Sequence, residues 1–389
     1  MLILYIFIIL SVLAICFYLP EVFLILHFRQ KCKAGTRIRK AANYFQKVSV
    51  VLPVYNEEKL IERKMENLLE LKYPRDLIEI IVVDGNSSDR TVELVKKFVK
   101  AGVQLVESKE REGVTEAVKT GVSLSTGEIV VMTDAEALFE PNAIRLIVED
   151  FEDPEVGAVS GHQVLSNLTN NVFTMMETTY RNFHEKMRLA ESAMHSTSHF
   201  KGELVGVRRD LFPFNMDPNK GALDRGIAFN AIRKGYKAVC DERILFYDIA
   251  TSSLKDRNRQ KTQRGTLLQE TMLQNLDMLF NPRFKAFGLL VFPSNFFIYF
   301  LFPPVFLALT LMFPIVLLYL ASHSLFVASA LIVMLVLAMA SSKKVFLFLL
   351  TFLHSQIILV VGLIRIAIIG KQKFLKQVEG TRKHDERIQ

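Results

Sequence analysis

The sequence contains few cysteines, and those it has are far apart. Cys16, Cys32 and Cys240 are the only three among 389 residues. Their number is odd and no two have the spacing of a chelating pair, so they indicate neither a disulfide framework nor a zinc site. The chain also lacks internal repeats, low-complexity linkers and any recognition-helix or aromatic motif of nucleic-acid-binding proteins. These absences are compatible with a reduced, cytoplasmic domain.

Charge is almost absent from two long stretches, which argues against an ordinary soluble enzyme. Residues 2–28 carry Glu21 as their only charge, and the run is long enough to cross a bilayer. Because no basic leader or small-residue cleavage site flanks it, we expect residues 1–28 to be a retained membrane anchor rather than a signal peptide. The second stretch, 286–370, is interrupted at 322–324 and 341–344, which divides it into three hydrophobic blocks.

The first of these blocks, 286–320, contains four prolines. It predicts either one interfacial helix plus one span or two short spans hinged near "FPP", and hence three or four C-terminal spans. A basic linker, 29–45, has six Lys or Arg residues between positions 29 and 40, which places the following domain in the cytoplasm. The basic tail, 371–389, prefers the same side. Because the tail would then lie on the same side as the α/β domain, the number of C-terminal spans must be even. An even number favours two short spans hinged near "FPP".

The net charge of +8 is concentrated in these membrane-flanking segments and in one cluster at 254–265. Such a distribution predicts contact with anionic lipid headgroups or with a phosphate-bearing substrate rather than with nucleic acid.

Residues 46–265 alternate between strand and helix patterns, and an interfacial segment is expected at 266–285. Strands are predicted at 48–55, 78–84, 103–108 and 128–133, and helices at 57–71, 89–102 and 113–124. Such alternation predicts an α/β domain with a mostly parallel sheet and helices on both faces. Ligands of these sheets bind at the carboxyl ends of the strands. Asp84 and Asp134 each end a predicted strand.

Three segments, "VSVVLPVYNEE", "VVDGNSSDRT" and "GEIVVMTDAEALFEP", occur in this order with characteristic gaps. Together they resemble the nucleotide-sugar half of the family 2 inverting glycosyltransferases, which have the Rossmann-like GT-A fold. The anchor, domain and multi-span layout resembles that of the membrane-bound members. The resemblance implies transfer of a sugar from a nucleotide-sugar donor, expected to be UDP-linked, to a membrane-embedded lipid or lipid-linked glycan. It also implies a Mg²⁺ or Mn²⁺ cofactor.

The resemblance assigns donor-binding roles to residues in the first half of the domain. Pro53, Tyr55 and Glu57 correspond to the first nucleotide-contacting loop, and Asp84 to the acid that accepts a hydrogen bond from the base. Arg111 would supply the diphosphate-binding cation, because Val114 stands where the family commonly has lysine. Glu57 as a first-turn acid and Arg111 as a solvated side chain remain alternatives. Asp89 is better explained as a cap of the following helix.

The family's Asp-x-Asp metal motif appears here as Asp134-Ala135-Glu136. A diphosphate leaves as an anion, and a divalent cation that bridges its oxygens stabilises the developing charge. Carboxylate oxygens suit Mg²⁺ or Mn²⁺. By the resemblance, Glu136 is the expected metal contact, and Asp134 touches ribose and metal. The alternative is a solvated turn in which the acids precede a helix.

Inversion needs a base that takes the proton of the acceptor hydroxyl. The segment 201–248 follows the family frame, which assigns Gly202 and Glu203 to the acceptor region and Asp224 to the base. Asp224 as a helix N-cap is the rival interpretation. Asp248 is a weaker site candidate. His162, His195 and His199 could add a metal ligand, but isolated histidines are more often structural.

The chain has no tryptophan. Membrane-bound members often carry Gln-x-x-Arg-Trp near the segment 254–265, but here Gln260 and Arg264 are one residue too far apart and Gly265 replaces the aromatic. The resemblance still assigns Arg264 to binding of the diphosphate. The alternative is that the basic segment 254–265 forms an interfacial helix that binds anionic lipids. These departures from the motif favour an enzyme that adds one sugar to each acceptor. A processive polysaccharide synthase and a non-catalytic nucleotide-sugar-binding membrane protein remain the other hypotheses.

Overall fold

The computed structural model describes residues 1–33, 44–165, 172–217, 222–248, 254–340 and 343–369. The predicted basic tail and positions 34–43 of the linker lie outside these ranges. The strands are β1 (Val48–Val54), β2 (Ile78–Asp84), β3 (Val103–Glu107), β4 (Ile129–Thr133), β5 (Leu138–Phe139), β6 (Val156–Leu165), β7 (Leu204–Arg208) and β8 (Lys237–Asp248). The helices of the first half are α1 (Leu2–Lys33), α2 (Ile61–Leu69), α3 (Thr91–Lys96), α4 (Val114–Leu124), α5 (Ala143–Asp150) and α6 (Val172–Met194). Those of the second half are α7 (Leu223–Arg233), α8 (Leu254–Leu273), α9 (Phe292–Phe296), α10 (Phe302–His323), α11 (Leu325–Ala340) and α12 (Lys343–Ile369).

The predicted parallel sheet is confirmed. All four predicted strands are present within one residue at each end, and they lie side by side in the order β3-β2-β1-β4 with every pairing parallel. The apolar residues of β1, β2 and β4 are buried because helices cover both faces of the sheet, whereas most of the edge strand β3 is half-buried or exposed.

The second half of the sheet is mixed and extends the order through β4-β7-β6-β8-β5. Strand β7 is antiparallel to both β4 and β6, whereas β6 and β8 are parallel to each other. The short strand β5 pairs antiparallel with the end of β8. This return brings the end of β8 back beside the segment that follows β4.

Two hydrophobic clusters lie on opposite faces of the sheet, because successive side chains of a strand point to opposite sides. Val50 and Leu52 of β1 belong to the cluster covered by α2, α3 and α5. Val51 belongs to the cluster covered by α4 and α7, which also contains apolar residues of the membrane-associated helices. A Cβ placed on Gly121 would lie 2.5 Å from Val51 Cγ1, so glycine allows α4 to pack this closely on β1.

Within the part of the chain that the structure describes, three helical segments are long and apolar enough to span a membrane: Leu2–Phe28, Phe287–His323 and Leu349–Ile368. The helical run Phe287–His323 has 37 residues, or about 55 Å at 1.5 Å per residue, which exceeds a hydrocarbon core of about 30 Å. Its first part includes two π-helical turns and buries Phe287 and Phe292 against the core of the α/β domain. The run continues through "FPP" without a break in helical structure, and the choice between an interfacial helix plus one span and two hinged spans stays a prediction.

Buried polar contacts connect helix α1 to α9, and α9 to α6. Ser294 Oγ donates to the Glu21 carboxylate at 3.1 Å, and Asn295 of α9 donates to Glu191 of α6 at 2.8 Å. A carboxylate inside an apolar helix is costly unless it is partnered. Glu21 therefore ties α1 to α9 rather than facing lipid.

Candidate active site

The predicted site residues gather at the carboxyl ends of the parallel strands. In the register of β1 and β2, Val54 lies opposite Asp84, and Asp84 is only 2% exposed. Strand β4 pairs with the other side of β1, and Asp134 follows its last residue, Thr133. The acid predicted to bind the base and the predicted metal motif thus share one edge of the sheet, with the loop after β1 between them.

The loops after β1 and β2 are joined by side-chain hydrogen bonds. Ser87 donates its N–H and its hydroxyl to the Asp84 carboxylate at 2.9 and 2.5 Å. The Ser87 hydroxyl oxygen accepts from the Asn56 N–H at 2.9 Å, and the Thr91 hydroxyl oxygen accepts from the Glu57 N–H at 2.7 Å. These bonds fix the orientation of Asp84 and leave acceptor capacity on its carboxylate, which offers about four lone-pair sites.

Asp89 has the helix-start role that its position indicates. Its carboxylate accepts from the N–H of Thr91, the first residue of α3, at 3.0 Å and from the N–H of Glu58 at 3.1 Å. Burial acts to raise the pKa of Asp89, but these hydrogen bonds outweigh it and lower the pKa. Asp89 therefore links the two loops.

Tyr55 and Arg111 are brought together by the fold. The Arg111 guanidinium lies 3.9 Å from the centre of the Tyr55 ring, a cation–π contact, and Arg111 is exposed. Pro53 and Glu57 flank Tyr55 and are half-buried. Val114, at the lysine position of the family, is 63% exposed at the start of α4. An exposed cation on an aromatic surface beside Asp84 is suited to a nucleotide diphosphate.

The two acids of the predicted metal motif alternate with two buried alanines. Asp134 and Glu136 are half-buried, whereas Ala135 and Ala137 are buried in the core. Burial, followed by the Glu203 carboxylate, raises the pKa of Asp134 to about 7. Burial, followed by the carboxylates of Asp248 and Asp134, raises the pKa of Glu136 to about 8. The acids therefore repel one another in a site that lacks bulk water to screen them.

Asp224 lies in the first turn of α7, directly over Gly202. A Cβ built on Gly202 would be 3.8 Å from Asp224 Oδ2, so the missing side chain leaves room beside this carboxylate. Asp224 Oδ1 accepts from the Arg225 N–H at 2.9 Å. Burial raises the pKa of Asp224; Arg225 and Arg264 oppose the rise, and Glu203 adds to it. A carboxylate with a raised pKa beside an opening has the properties of a general base.

Glu203 and Arg264 form an ion pair next to this carboxylate, with 3.2 Å between Arg264 Nη2 and Glu203 Oε1. Glu203 is buried, whereas the Arg264 side chain is 53% exposed. Burial acts to raise the pKa of Glu203, but Arg264 and then Lys201 outweigh it, so the pKa is lowered. Arg264 thus pairs with a buried acid while about half of its own side chain is exposed.

Helix α8, which carries Arg264, is anchored to the membrane-associated helices one turn later. The side-chain amide of Gln269 donates to the backbone carbonyls of Tyr299 at 3.0 Å and Leu359 at 3.1 Å. Helix α8 continues past position 265, the predicted end of the α/β domain. Arg264 is therefore positioned by membrane-associated segments as well as by the globular domain.

The remaining candidates divide into one that joins the acid cluster and three that do not. Asp248, at the end of β8, is buried, accepts a hydrogen bond from Gln163, and raises the pKa of Glu136. His162 contacts Glu185 at 3.0 Å, His195 contacts Ser196 at 2.8 Å, and His199 packs against the Tyr299 ring. The histidine contacts are those of structural residues.

Two lysines near the acids were not predicted. Lys64 of α2 is fully buried, and its ammonium donates to Thr133 Oγ1 at 2.8 Å and to the Ala137 carbonyl. Burial lowers its pKa to about 7 against the opposing effect of Asp134. Lys201, next to Gly202, has a pKa lowered to about 8 by burial and then by neighbouring arginines. The sequence signal for Lys64 was its place on the apolar stripe of α2.

The chemistry of the motif fits a divalent cation held together with the substrate. Across the described ranges, no three His, Cys, Asp or Glu side chains are grouped closely enough to hold a metal by themselves. Mg²⁺ and Mn²⁺ sites in phosphate-transfer enzymes commonly use one or two carboxylates and complete their shell with phosphate oxygens and water. Asp134 and Glu136 provide two hard oxygen donors whose mutual repulsion a cation would relieve.

The fold and the acids gathered at one edge of the sheet resemble those of the GT-A glycosyltransferases. Residues 49–213 match the model of Glycosyl transferase family 2. The chain therefore contains a family 2 glycosyltransferase domain, as the three sequence segments indicated.

Relatives and a solved structure agree with this classification. A β-monoglucosyldiacylglycerol synthase of Trichormus variabilis is 31% identical over 131 residues, 33% of this chain and 28% of the relative. A poly-β-1,6-N-acetyl-D-glucosamine synthase of Staphylococcus aureus is 32% identical over 122 residues, 31% of this chain and 29% of the relative. The chain thus matches less than a third of the length of each.

The solved structure of a mannosyltransferase from Pyrobaculum calidifontis, in complex with GDP-Man and Mn²⁺, is similar over nearly the whole chain. It superimposes with a TM-score of 0.71 at 25% identity and covers 93% of this chain and 100% of that one. The similarity therefore extends beyond the family 2 domain to the apolar helices.

Proposed function

We propose that this protein is an integral membrane glycosyltransferase that moves one sugar from a nucleotide-sugar donor to a membrane-embedded lipid or lipid-linked glycan, with inversion. The observation that carries the proposal is the position of Asp224 over Gly202 and beside the Glu203–Arg264 pair, whose charges also act on Asp134 and Glu136. This arrangement supports a site that combines a base candidate, a cation for the leaving group and two metal donors.

Donor binding is assigned to the loops after β1 and β2. Asp84 accepts hydrogen bonds from the base, and the Tyr55 ring packs against it while Arg111 approaches the diphosphate. We expect uracil, whose imide N–H matches a carboxylate. Guanine also presents N–H donors, and the mannosyltransferase that this chain resembles was solved with GDP-Man, so both nucleotides belong in a donor screen.

The chemical step divides between two groups of side chains. Asp224 takes the proton of the acceptor hydroxyl while the hydroxyl oxygen attacks the anomeric carbon from the side opposite the diphosphate. Arg264, and Arg111 from the other side, stabilise the negative charge on the leaving diphosphate. Asp134 and Glu136 would hold Mg²⁺ or Mn²⁺, which supplies Lewis-acid stabilisation of that charge when bound.

The acceptor is proposed to arrive from the bilayer. Helix α8 carries Arg264 into the site and is bonded through Gln269 to helices long enough to span a membrane. An acceptor whose lipid part lies in the membrane would therefore present its hydroxyl near Gly202 and Asp224. The basic linker places the catalytic domain on the cytoplasmic side.

One alternative, a processive polysaccharide synthase, is favoured by the similarity to the poly-β-1,6-N-acetyl-D-glucosamine synthase. Against it, the chain has no tryptophan and no Gln-x-x-Arg-Trp match. A second alternative, a non-catalytic nucleotide-sugar-binding protein, is disfavoured by the presence of Asp84, Asp134 and Asp224 around one site.

The test is a donor screen with the full-length protein in lipid nanodiscs that contain total membrane lipids. Release of nucleotide diphosphate from UDP- and GDP-sugars is measured with Mn²⁺ or Mg²⁺ and with excess chelator, and the lipid product is sized by mass spectrometry. We expect cation-dependent release and a product one sugar larger than the acceptor. A polymer supports the synthase, and donor binding without any transfer supports the non-catalytic alternative.

A further inference from the structure

Lys64 occupies a position where a lysine is unusual. On α2 it shares the buried face with Ile61, Met65 and Leu68, the spacing of an apolar stripe. Its relative exposure is 0%, and its ammonium lies 4.1 Å from the centre of the Phe139 ring. A lysine is rarely buried so completely unless its charge has a specific partner.

The partners of Lys64 lie on both sides of the acid motif. Its ammonium donates to the Thr133 hydroxyl oxygen, one residue before Asp134, and to the Ala137 carbonyl, one residue after Glu136. A single side chain therefore bridges the two ends of the turn that carries both acids. The turn has only one weak internal backbone bond, from the Ala137 N–H to the Asp134 carbonyl at 3.3 Å.

The next turn of α2 supports the segment that follows. The Asn67 amide donates to the Phe139 carbonyl at 2.9 Å, and the Asn67 side-chain oxygen accepts from the Phe139 N–H at 2.8 Å. Lys64 and Asn67 thus fasten the chain from Thr133 to Phe139 onto one helix. Lys64 is the contact that acts on the motif itself.

We propose that Lys64 is the positioning residue of the metal motif: by bridging Thr133 and Ala137 it holds the Asp134 and Glu136 carboxylates at the separation that a divalent cation requires. The inference rests on the proposed function, because it assumes that this motif binds the cation. Lys64 contacts neither donor nor acceptor. It acts through the Thr133 hydroxyl and the Ala137 carbonyl at the two ends of the turn, as residues behind metal ligands commonly do.

The test measures Mn²⁺ binding directly, by electron paramagnetic resonance on the full-length protein in detergent with UDP or GDP present. Lys64→Met removes the donors and the charge but keeps most of the side-chain volume. The matched control is Met65→Ala, which removes a buried side chain from the neighbouring position of the same helix and so lowers the thermal stability without removing a hydrogen bond to the turn.

We expect Lys64→Met to weaken Mn²⁺ binding by about 10- to 100-fold, the usual effect of losing a residue that orients metal ligands. Met65→Ala should bind Mn²⁺ within threefold of the wild type although its Tm is lower. Equal Mn²⁺ affinity in the Lys64→Met and Met65→Ala variants would overturn the proposal. If Lys64→Met does not fold, Thr133→Val decides, since it removes one acceptor at almost constant shape; an unchanged Mn²⁺ affinity there refutes the role.

The failure of the proposed function would look different. In that case wild-type protein itself would bind no Mn²⁺ in the presence of either nucleotide. A wild type that binds Mn²⁺ together with unaffected Lys64 and Thr133 variants refutes only the positioning role.

Discussion

Arg264 is expected to bind the donor diphosphate and also to stabilise the fold by pairing with Glu203. Two variants can separate these roles. Arg264→Met removes the positive charge that we assign to the diphosphate, and it also leaves Glu203 buried without its nearest cation at 3.2 Å. Adding Glu203→Gln to Arg264→Met removes the negative charge that would otherwise stay buried without its partner. The double variant should therefore recover stability but not donor binding.

The size of the stability effect follows from the burial of the two partners. Breaking a fully buried pair costs about 3–5 kcal/mol, and exposed pairs contribute about 0.2–1 kcal/mol. Because Glu203 is 6% exposed and Arg264 53% exposed, we expect an intermediate loss of about 1–2 kcal/mol, or a decrease in Tm of about 2–8 °C for a domain of this size.

The stability effect should depend on pH. The pKa of Glu203 is lowered from its ordinary value of 4.5, so its ionised form contributes stability above about pH 4.5, and this contribution disappears as the pH falls through the lowered pKa. The Tm difference between wild type and Arg264→Met should thus be full at pH 7 and shrink toward pH 4.

The assay is differential scanning fluorimetry in detergent together with titration of UDP- and GDP-sugars. Arg233→Met is the matched control, because Arg233 forms an exposed pair with Asp277 at 2.6 Å and should cost under about 1 kcal/mol. If Arg264→Met keeps the wild-type Tm at pH 7, the ion pair does not stabilise the fold. If its donor affinity is also unchanged, Arg264 does not bind the diphosphate.

Three further outcomes are expected. Glu136→Ala should raise the Mn²⁺ or Mg²⁺ concentration needed for half-maximal turnover by at least 10-fold, and full activity in excess chelator would exclude metal dependence. Asp84→Ala should weaken donor binding by about 10-fold or more with little change in acceptor KM, because a charged hydrogen bond contributes about 1.5–3 kcal/mol; an equal loss for a donor with a different base would argue against base contact. A cysteine introduced at exposed Lys100 should resist membrane-impermeant maleimide in intact cells and react after lysis, and labelling before lysis would reverse the proposed orientation.

The parallel strands were predictable because their signal is local. β1, β2 and β4 are buried on both faces, so each appears in the sequence as a short, mostly apolar run rich in β-branched residues. The strands β6 and β8 pair across about 80 residues with two register irregularities. No local pattern specifies that pairing, so the sequence could not show that Asp248 lies beside the acid motif.

The site was predictable from motifs to the extent that each residue follows a strand or opens a helix. Asp224 was recognised in this way, whereas its position over Gly202 and beside Glu203 depends on tertiary packing. Lys64 was missed because lysines on amphipathic helices usually face solvent. Its spacing with Ile61 and Leu68 was the available signal, since a charge on an apolar stripe needs a buried partner.

In the apolar C-terminal region, the path of the helix could not be predicted from the sequence. The four prolines suggested a hinge near Phe302, yet the helix continues from Phe287 to His323. The π-helical turns and the packing of Phe287 and Phe292 against the catalytic domain accommodate the prolines. Such accommodation depends on neighbouring segments and cannot be read from the prolines alone.

The central claim is that Asp224 is the base of sugar transfer, and the rate of transfer by Asp224→Asn tests it most directly. The amide has nearly the shape of the carboxylate but cannot take the proton. With donor affinity measured on the same preparation, and Asp76→Asn as an exposed control, we predict turnover lower by roughly 10²–10⁴ and donor Kd within a few-fold of the wild type. Near-normal transfer by Asp224→Asn would contradict the account.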